Sequence, residues 1–251
     1  MNYLALVIGN SRLHWGWFKG KQLLQSWDTL HLEHPVIDLP FSFFPTKVTQ
    51  SLAKKQWIYM VSVVPEQTEL WENYSNKKII TRDQIPLNNL YSTLGNDRAL
   101  CAYGAGETYG YPVLVIDGGT ALTYTAIGKQ KDFLGGAILP GLKLQLQTLS
   151  QQTAALPEVS LPDSLPQVWG NSTESAIASG VIYTLISGIY CYATEWLEKY
   201  GEENIILTGG DAVLLYQYLQ EKYPVFSQKI IIDQTLMFKG IARLVSNETK
   251  S

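Results

Sequence analysis

The chain has 251 residues, of which 46% are hydrophobic and 16% charged, the composition of a soluble globular protein large enough to bury a sizeable core. A net charge of −3 and a pI near 5.6 supply no electrostatic footprint for a polyanion, so no nucleic-acid partner and no membrane partner are expected. Cys101 and Cys191 each lie in an apolar stretch without metal or disulfide spacing, which predicts buried thiols and a cytoplasmic protein. The absence of a basic leader before an apolar run points the same way.

The chain opens with "ALVIGNSRLHWGWF" (5–18), an apolar run that stops at Gly9, Asn10 and Ser11 and then resumes in alternation. Leu13, Trp15 and Trp17 fall on one side of a strand, and Arg12, His14 and Gly16 on the other. Gly20 and, later, Gly128 are placed at hairpin turns, where a positive φ costs glycine little. "QWIYMVSVV" (56–64) reads as a strand buried on both faces, "PEQTELWENY" (65–74) as a helix begun by proline, and "KKIITRDQI" (77–85) as another strand. "NDRALCAYGAGETYG" (96–110) is helix-like, with Asp97 in its first turn.

From 113 onward the opening pattern returns: Gly9 and Asn10 fall on Gly119 and Thr120, and Val7 stands opposite Asp117. "SAIASGVIYTLISGIYCYAT" (175–194) carries no charge over about the length that spans a bilayer. Its small and hydroxylated residues instead predict a helix buried among others, with Tyr183, Tyr190 and Trp196 on a packed face. A strand "NIILTGG" (204–210), a helix "DAVLLYQYLQEKY", a strand "KIIIDQ" and a closing helix "LMFKGIARLV" complete the chain. The predicted order is β-β-β-α-β-α-β-α, twice, as two α/β domains over 1–110 and 111–251. Facing each other, two such units make an interdomain cleft suited to a nucleoside triphosphate.

Seven segments stand in order: "VIGNS" (7–11), "YSTLGNDRA" (91–99), "VIDGGTALT" (115–123), "GGAILPG" (135–141), "LSQQTAALPEV" (149–159), "NSTESAIASG" (171–180) and "LTGGDA" (207–212). Together they resemble the type III pantothenate kinases, members of the acetate and sugar kinase, Hsp70 and actin superfamily. That resemblance implies duplicated ribonuclease H-like (actin-like ATPase) domains and ATP-dependent phosphorylation of pantothenate, the first step of coenzyme A biosynthesis. It implies a substrate site of Tyr91, Gly95, Asn96, Asp97, Arg98 and Thr173, with Asp97 as the catalytic base. It also implies ATP contacts from Val7, Ile8, Gly9, Asn10, Ser11, Arg12, Leu13 and His14, and from Gly119 and Thr120. Magnesium would accompany ATP, a monovalent cation such as potassium or ammonium would lie at Asp117, and a homodimer would complete the substrate site through the helix at 172–199. The family commonly has an aspartate where this chain has Val7, so the resemblance implies weaker or rearranged magnesium binding here.

These residue types suit phosphoryl transfer, whose loose transition state asks mainly for positioning and charge stabilisation. Glycine turns, as at Gly118 and Gly119, let backbone N–H groups approach phosphate oxygens. Taken without the resemblance, Asp97 suits a helix start, Asp117 a turn that satisfies N–H groups, and Thr173 a helix cap with Ser172, Glu174 being too early for a capping box. His14, His31 and His34 lack metal-like spacing and are expected at surface or hairpin positions. A non-catalytic nucleotide-binding regulator of the same fold, or a kinase of another small hydroxylated substrate, are the competing readings.

Overall fold

Alternation at the N-terminus builds the first sheet. In the computed structural model, which describes residues 2–52, 55–201 and 204–248, β1 (Asn2–Ile8), β2 (Leu13–Lys19) and β3 (Gln22–Thr29) form an antiparallel meander. The chain then passes through α1 (Thr46–Ser51), β4 (Ile58–Ser62), α2 (Pro65–Glu69), β5 (Lys77–Ile79) and α3 (Asn96–Tyr109). β4 and β5 add in parallel on the free edge of β1, giving the order β3-β2-β1-β4-β5.

Leu4, Leu6 and Ile8 face a core with Leu13, Trp15, Ile58, Met60 and Trp71, as strand alternation requires. Only five residues of the expected helix at 65–74 are α-helical. The expected strand at 77–85 stops at Ile79, and Arg82–Gln84 form a 3-10 turn closed by a Thr81–Gln84 capping box.

The second half repeats the scheme. β6 (Val113–Gly118), β7 (Ala121–Ile127) and β8 (Phe133–Pro140) form a meander, followed by α4 (Leu142–Gln152) and α5 (Thr173–Tyr200). β9 (Asn204–Thr208), α6 (Ala212–Lys222), α7 (Pro224–Ser227), β10 (Ile230–Ile232) and α8 (Leu236–Glu248) follow. The order β10-β9-β6-β7-β8 is that of the first sheet. The eight-element order thus appears twice, with one extra helix beside α5 and one beside α6.

α5 is long and apolar enough to cross a membrane by length and composition. Its residues Ile182, Leu185, Ile186 and Ile189 are nonetheless buried with Ile116, Leu122 and Leu207 in the core of the second unit, so it is packed as a core helix. Trp196 shares that core, while Tyr183 is half-buried and Tyr190 stacks on Tyr223 at the surface, centroids 4.4 Å apart. The expectation for the cysteines holds only for Cys101; Cys191 is exposed on the outer side of α5.

Gly20 takes the expected positive φ of 60°. At the β7–β8 turn that conformation falls instead on Lys131, φ 59°, whose ammonium lies 5.3 Å from the centre of the Tyr111 ring. Gly128 is there because Asp132 folds back onto it: its N–H donates to the Asp132 carbonyl at 2.8 Å, and a Cβ would stand 2.6 Å from the Asp132 carboxylate.

Contacts divide the chain into Met1–Glu107 with Leu236–Ser251, and Thr108–Thr235. Chain order groups α8 with the second half, yet α8 packs on β1 and α3 of the first unit. The reason lies in small residues. A Cβ on Gly104 would strike the Leu236 carbonyl, one on Gly240 would stand 2.7 Å from Leu100, and one on Gly16 would stand 2.8 Å from Phe238.

Candidate active site

β1 ends where its last pair, Ile8 with Leu13, closes a turn of Gly9, Asn10, Ser11 and Arg12. β6 ends in the same way, Gly118 with Leu122, around Gly119, Thr120 and Ala121. Val7 and Asp117 are the next pairs inward, so the strand register makes them equivalent.

In both turns the glycine N–H is engaged within the turn itself: Gly9 donates to the Arg12 carbonyl and Gly119 to the Ala121 carbonyl, each at 3.0 Å. The expected phosphate donor at Gly119 is therefore committed to turn closure. Val7 and Ile8 are buried, Asn10, Ser11 and Arg12 exposed, Leu13 buried and His14 half-buried.

Val63 N–H donates to the Ile8 carbonyl at 3.1 Å, carrying the chain from the turn to the end of β4. There the Ser62 carbonyl accepts from Asn96 Nδ2 at 3.1 Å, and Asn96 Oδ1 accepts from Arg82 N–H at 3.1 Å. One amide thus fixes the start of α3 against two other segments. The Arg82 guanidinium donates to the Tyr91 carbonyl at 3.1 Å and also to the Ser92 carbonyl. Arg98, buried despite its charge, donates from Nη1 to the Tyr91 hydroxyl at 2.9 Å.

Tyr91, Gly95, Asn96, Asp97 and Arg98 are therefore brought together, while Thr173 belongs to the second unit. Ser62 and Arg82 were missed. The only sequence signal for Ser62 is a lone hydroxyl ending the apolar run of β4, and Arg82 has none. A cavity of about 460 Å³ opens beside them, lined by Ser62, Val64, Thr68, Arg82, Gly95 and Asn96, within the size range of small-molecule sites.

Asp97 is half-buried in the first turn of α3. Burial pushes its carboxyl above the ordinary carboxylate value, against the opposing pull of the Arg98 N–H and guanidinium. Its Oδ1 accepts from the Arg98 N–H at 2.8 Å, and a Cβ on Gly95 would stand 2.5 Å from that oxygen. Glycine at 95 thus leaves room for the carboxylate.

In the second unit Asp117 is half-buried at the end of β6, its carboxylate pressed against Gly209, which takes φ 93°. The Gly141 N–H donates to the Thr120 carbonyl at 2.8 Å, and Lys143 pairs with buried Asp211 at 3.0 Å. Thr173 is the exposed first residue of α5. The cap is Ser172, and a capping box does form, closed by Ser175 rather than by Glu174.

Among the described residues no group of three or more His, Cys, Asp or Glu side chains is arranged to hold a metal. A magnesium ion that keeps its waters and leans on nucleotide phosphates needs few protein carboxylates; position 7 offers none, and Asp117 lies at the end of β6, just before the second turn.

Residues 3–195 match the family described as type III pantothenate kinase. A protein of that description from Nostoc sp. is 46% identical, covering 97% of this chain and 94% of the relative. The chain belongs to the type III pantothenate kinase family. A second relative of the same description, from Synechocystis sp., is 42% identical over 96% of this chain and 90% of its own length. In fold, the activator of the 2-hydroxyisocaproyl-CoA dehydratase from Clostridium difficile, solved with bound ADPNP, matches with a TM-score of 0.55 at 12% identity, covering all of this chain and 96% of that one. That neighbour has the same duplicated α/β fold. Within the pantothenate kinase family, this member carries an apolar side chain, Val7, at the position equivalent to Asp117.

Proposed function

We propose that this chain transfers a phosphoryl group from ATP to pantothenate at a site organised by Asp97, with Tyr91, Gly95, Asn96, Arg98 and Thr173 as substrate contacts. Family membership supports an ATP-dependent pantothenate kinase, and the observation that carries the site is the Asp97 carboxylate, half-buried beside Gly95 and the Arg98–Tyr91 pair. Asp97 accepts the hydrogen bond of the attacking hydroxyl and takes its proton as the new P–O bond forms. Arg98 and Tyr91 hold the substrate's polar groups, and the Arg82 clamp keeps the Tyr91 backbone in place. The turn of Gly9, Asn10, Ser11 and Arg12, with His14 and the second turn at Gly119 and Thr120, contacts the nucleotide, and buried Val7, Ile8 and Leu13 hold the first turn in place. Asp117 would hold a monovalent cation such as potassium or ammonium, and magnesium carried on the ATP phosphates would supply positive charge to the transferring group.

The working form is proposed to be a cytoplasmic homodimer joined through α5, whose outer face carries Tyr192 at 49% exposure. A coupled assay with ATP, magnesium, potassium and pantothenate tests the reaction. Turnover lowered about 10²–10⁴-fold by Asp97→Asn supports it; pantothenate-independent ATP hydrolysis alone, or no turnover with intact ATP binding, returns the chain to the regulatory reading. Sedimentation showing only monomer at assay concentrations would sink the dimer.

A further inference from the structure

α4 is the extra helix that the second half carries beside α5, and its first residues lie against the turn that ends β6. The Gly141 N–H donates to the Thr120 carbonyl at 2.8 Å, and a Cβ on Gly141 would strike the Gly119 carbonyl. On the other flank of that turn, the Asp211 N–H donates to the Gly118 carbonyl at 2.8 Å. Lys143 Nζ and Asp211 Oδ1, 3.0 Å apart, join the two flanks. The bonds close a ring that runs from Gly118 through Gly119 and Thr120 to Gly141, on to Lys143 and Asp211, and back to Gly118. Within it the ion pair is the link made by side chains.

Asp211 is the N-cap of α6, a position where aspartate ordinarily accepts from the first N–H groups of the helix, yet its side chain makes no capping hydrogen bond. Its carboxylate is turned to Lys143 instead. Asp211 is 7% exposed, and a carboxylate so buried needs a partner to offset its lost hydration. The Lys143 side chain, 69% exposed, reaches across the turn to supply one. The segment anchored in this way also seats Asp117: a Cβ on Gly209 would strike the Asp117 carboxylate, and the Gly209 carbonyl accepts from Gln234 Nε2 at 3.2 Å. At the matching place in the first unit the Ile8 carbonyl accepts from the Val63 N–H, and the residues there, Val63 and Val64, carry no charge.

We propose that Lys143 and Asp211 are positioning residues for ATP: their ion pair locks the turn at Gly119 and Thr120 in its receiving conformation, and neither side chain touches the nucleotide. A turn already in place gives up less ordering entropy when its ligand arrives, so the lock is repaid as affinity. The inference rests on the nucleotide-site reading above and gives the segments that follow β8 and β9 a joint task. The pair is therefore felt in the affinity for ATP and not in that for pantothenate, whose Tyr91–Arg98 group belongs to the other unit.

Calorimetric titration with ATP and excess magnesium, steady-state kinetics and urea unfolding test it on the full chain and on Lys143→Met, Lys143→Arg, Asp211→Asn and the double variant Lys143→Met with Asp211→Asn. Lys143→Met is expected to weaken ATP binding about tenfold, the scale of one charge-assisted hydrogen bond, and to raise the KM for ATP in step while the KM for pantothenate holds. Lys143→Arg keeps most of the affinity. Removing both charges relieves the stranded carboxylate, so the double variant recovers the urea midpoint that Lys143→Met loses but not the ATP affinity, a split that a merely structural role would not produce. Where Lys143→Met fails to fold, the double variant carries the test alone. ATP affinity unchanged in the double variant, or restored there together with the midpoint, overturns the inference. So does tighter ATP binding by Asp211→Asn, which would make the released Lys143 a direct phosphate contact. ATP binding of the expected pattern without pantothenate turnover removes the substrate reading and leaves this one standing; no ATP binding by the unaltered chain removes both.

Discussion

Asp97 suits the start of a helix but is disfavoured there as a half-buried charge, and burial is the larger effect on its carboxyl. The sign follows: with the folded value raised, the group's stabilising contribution is present below the ordinary carboxylate value of 3.8 and is lost as pH rises through the folded value. Asp97→Asn is therefore expected to unfold at a higher temperature than the unaltered chain at pH 7, with the gap closing toward pH 4, and to lose about 10²–10⁴-fold in kcat as general bases do. Thermal melts at several pH values and the coupled assay check both halves; a variant both inactive and less stable at pH 7 would assign Asp97 a structural role instead. Arg82 acts at one remove, since its guanidinium fastens the Tyr91 and Ser92 carbonyls. Arg82→Ala is expected to raise the KM for pantothenate about tenfold through a loosened Tyr91, with a smaller change in the KM for ATP. At Val7, 1% exposed, Val7→Asp places a carboxylate where water does not reach. It is expected to destabilise the chain by ~2 kcal/mol or more, read from denaturant unfolding, even where it strengthens the magnesium dependence of ATP binding.

Helices α3 and α8 close the two repeats and meet each other over glycine. Gly104→Ala and Gly240→Ala each force a methyl group into backbone or Leu100 atoms, and each is expected to cost about 1–3 kcal/mol as overpacking does, visible as a lowered urea midpoint without a change in m. Such contacts explain which elements were legible in sequence. β1, β2, β4, β6 and β9 are buried apolar runs or clean alternations, and α5 carries its buried stripe at helical spacing, so each is written in its own residues. The end of α2 and the short β5 are not, because Leu70 to Tyr74 satisfy their backbones through turn hydrogen bonds and the strand stops where Thr81 and Gln84 form their own box. The candidate site follows the same division. Residues 91–98 lie close in sequence and could be read as a group, whereas Ser62 and Arg82 join them only through a strand end and a turn that bring distant positions together.

At the scale of the whole molecule, duplication explains the matching strand orders of the two sheets and the matching positions of Val7 and Asp117. It does not make two contiguous halves. A chain ending at Thr235 keeps every strand but loses Phe238, Ile241 and Val245, all buried, from the first unit. It is expected to retain a cooperative transition for residues 108–235 and to lose that of the first unit, which two-step calorimetry of the truncated and full chains would reveal. The return of α8 also imposes a calendar on biosynthesis. A core begun by the first strand waits for the last helix to leave the ribosome, a delay of roughly 10–50 s at bacterial elongation rates. Through that interval the nascent sheet presents Ala5, Gly16 and Phe18 without their covering helix, so this stretch of translation is when a holding chaperone would matter most.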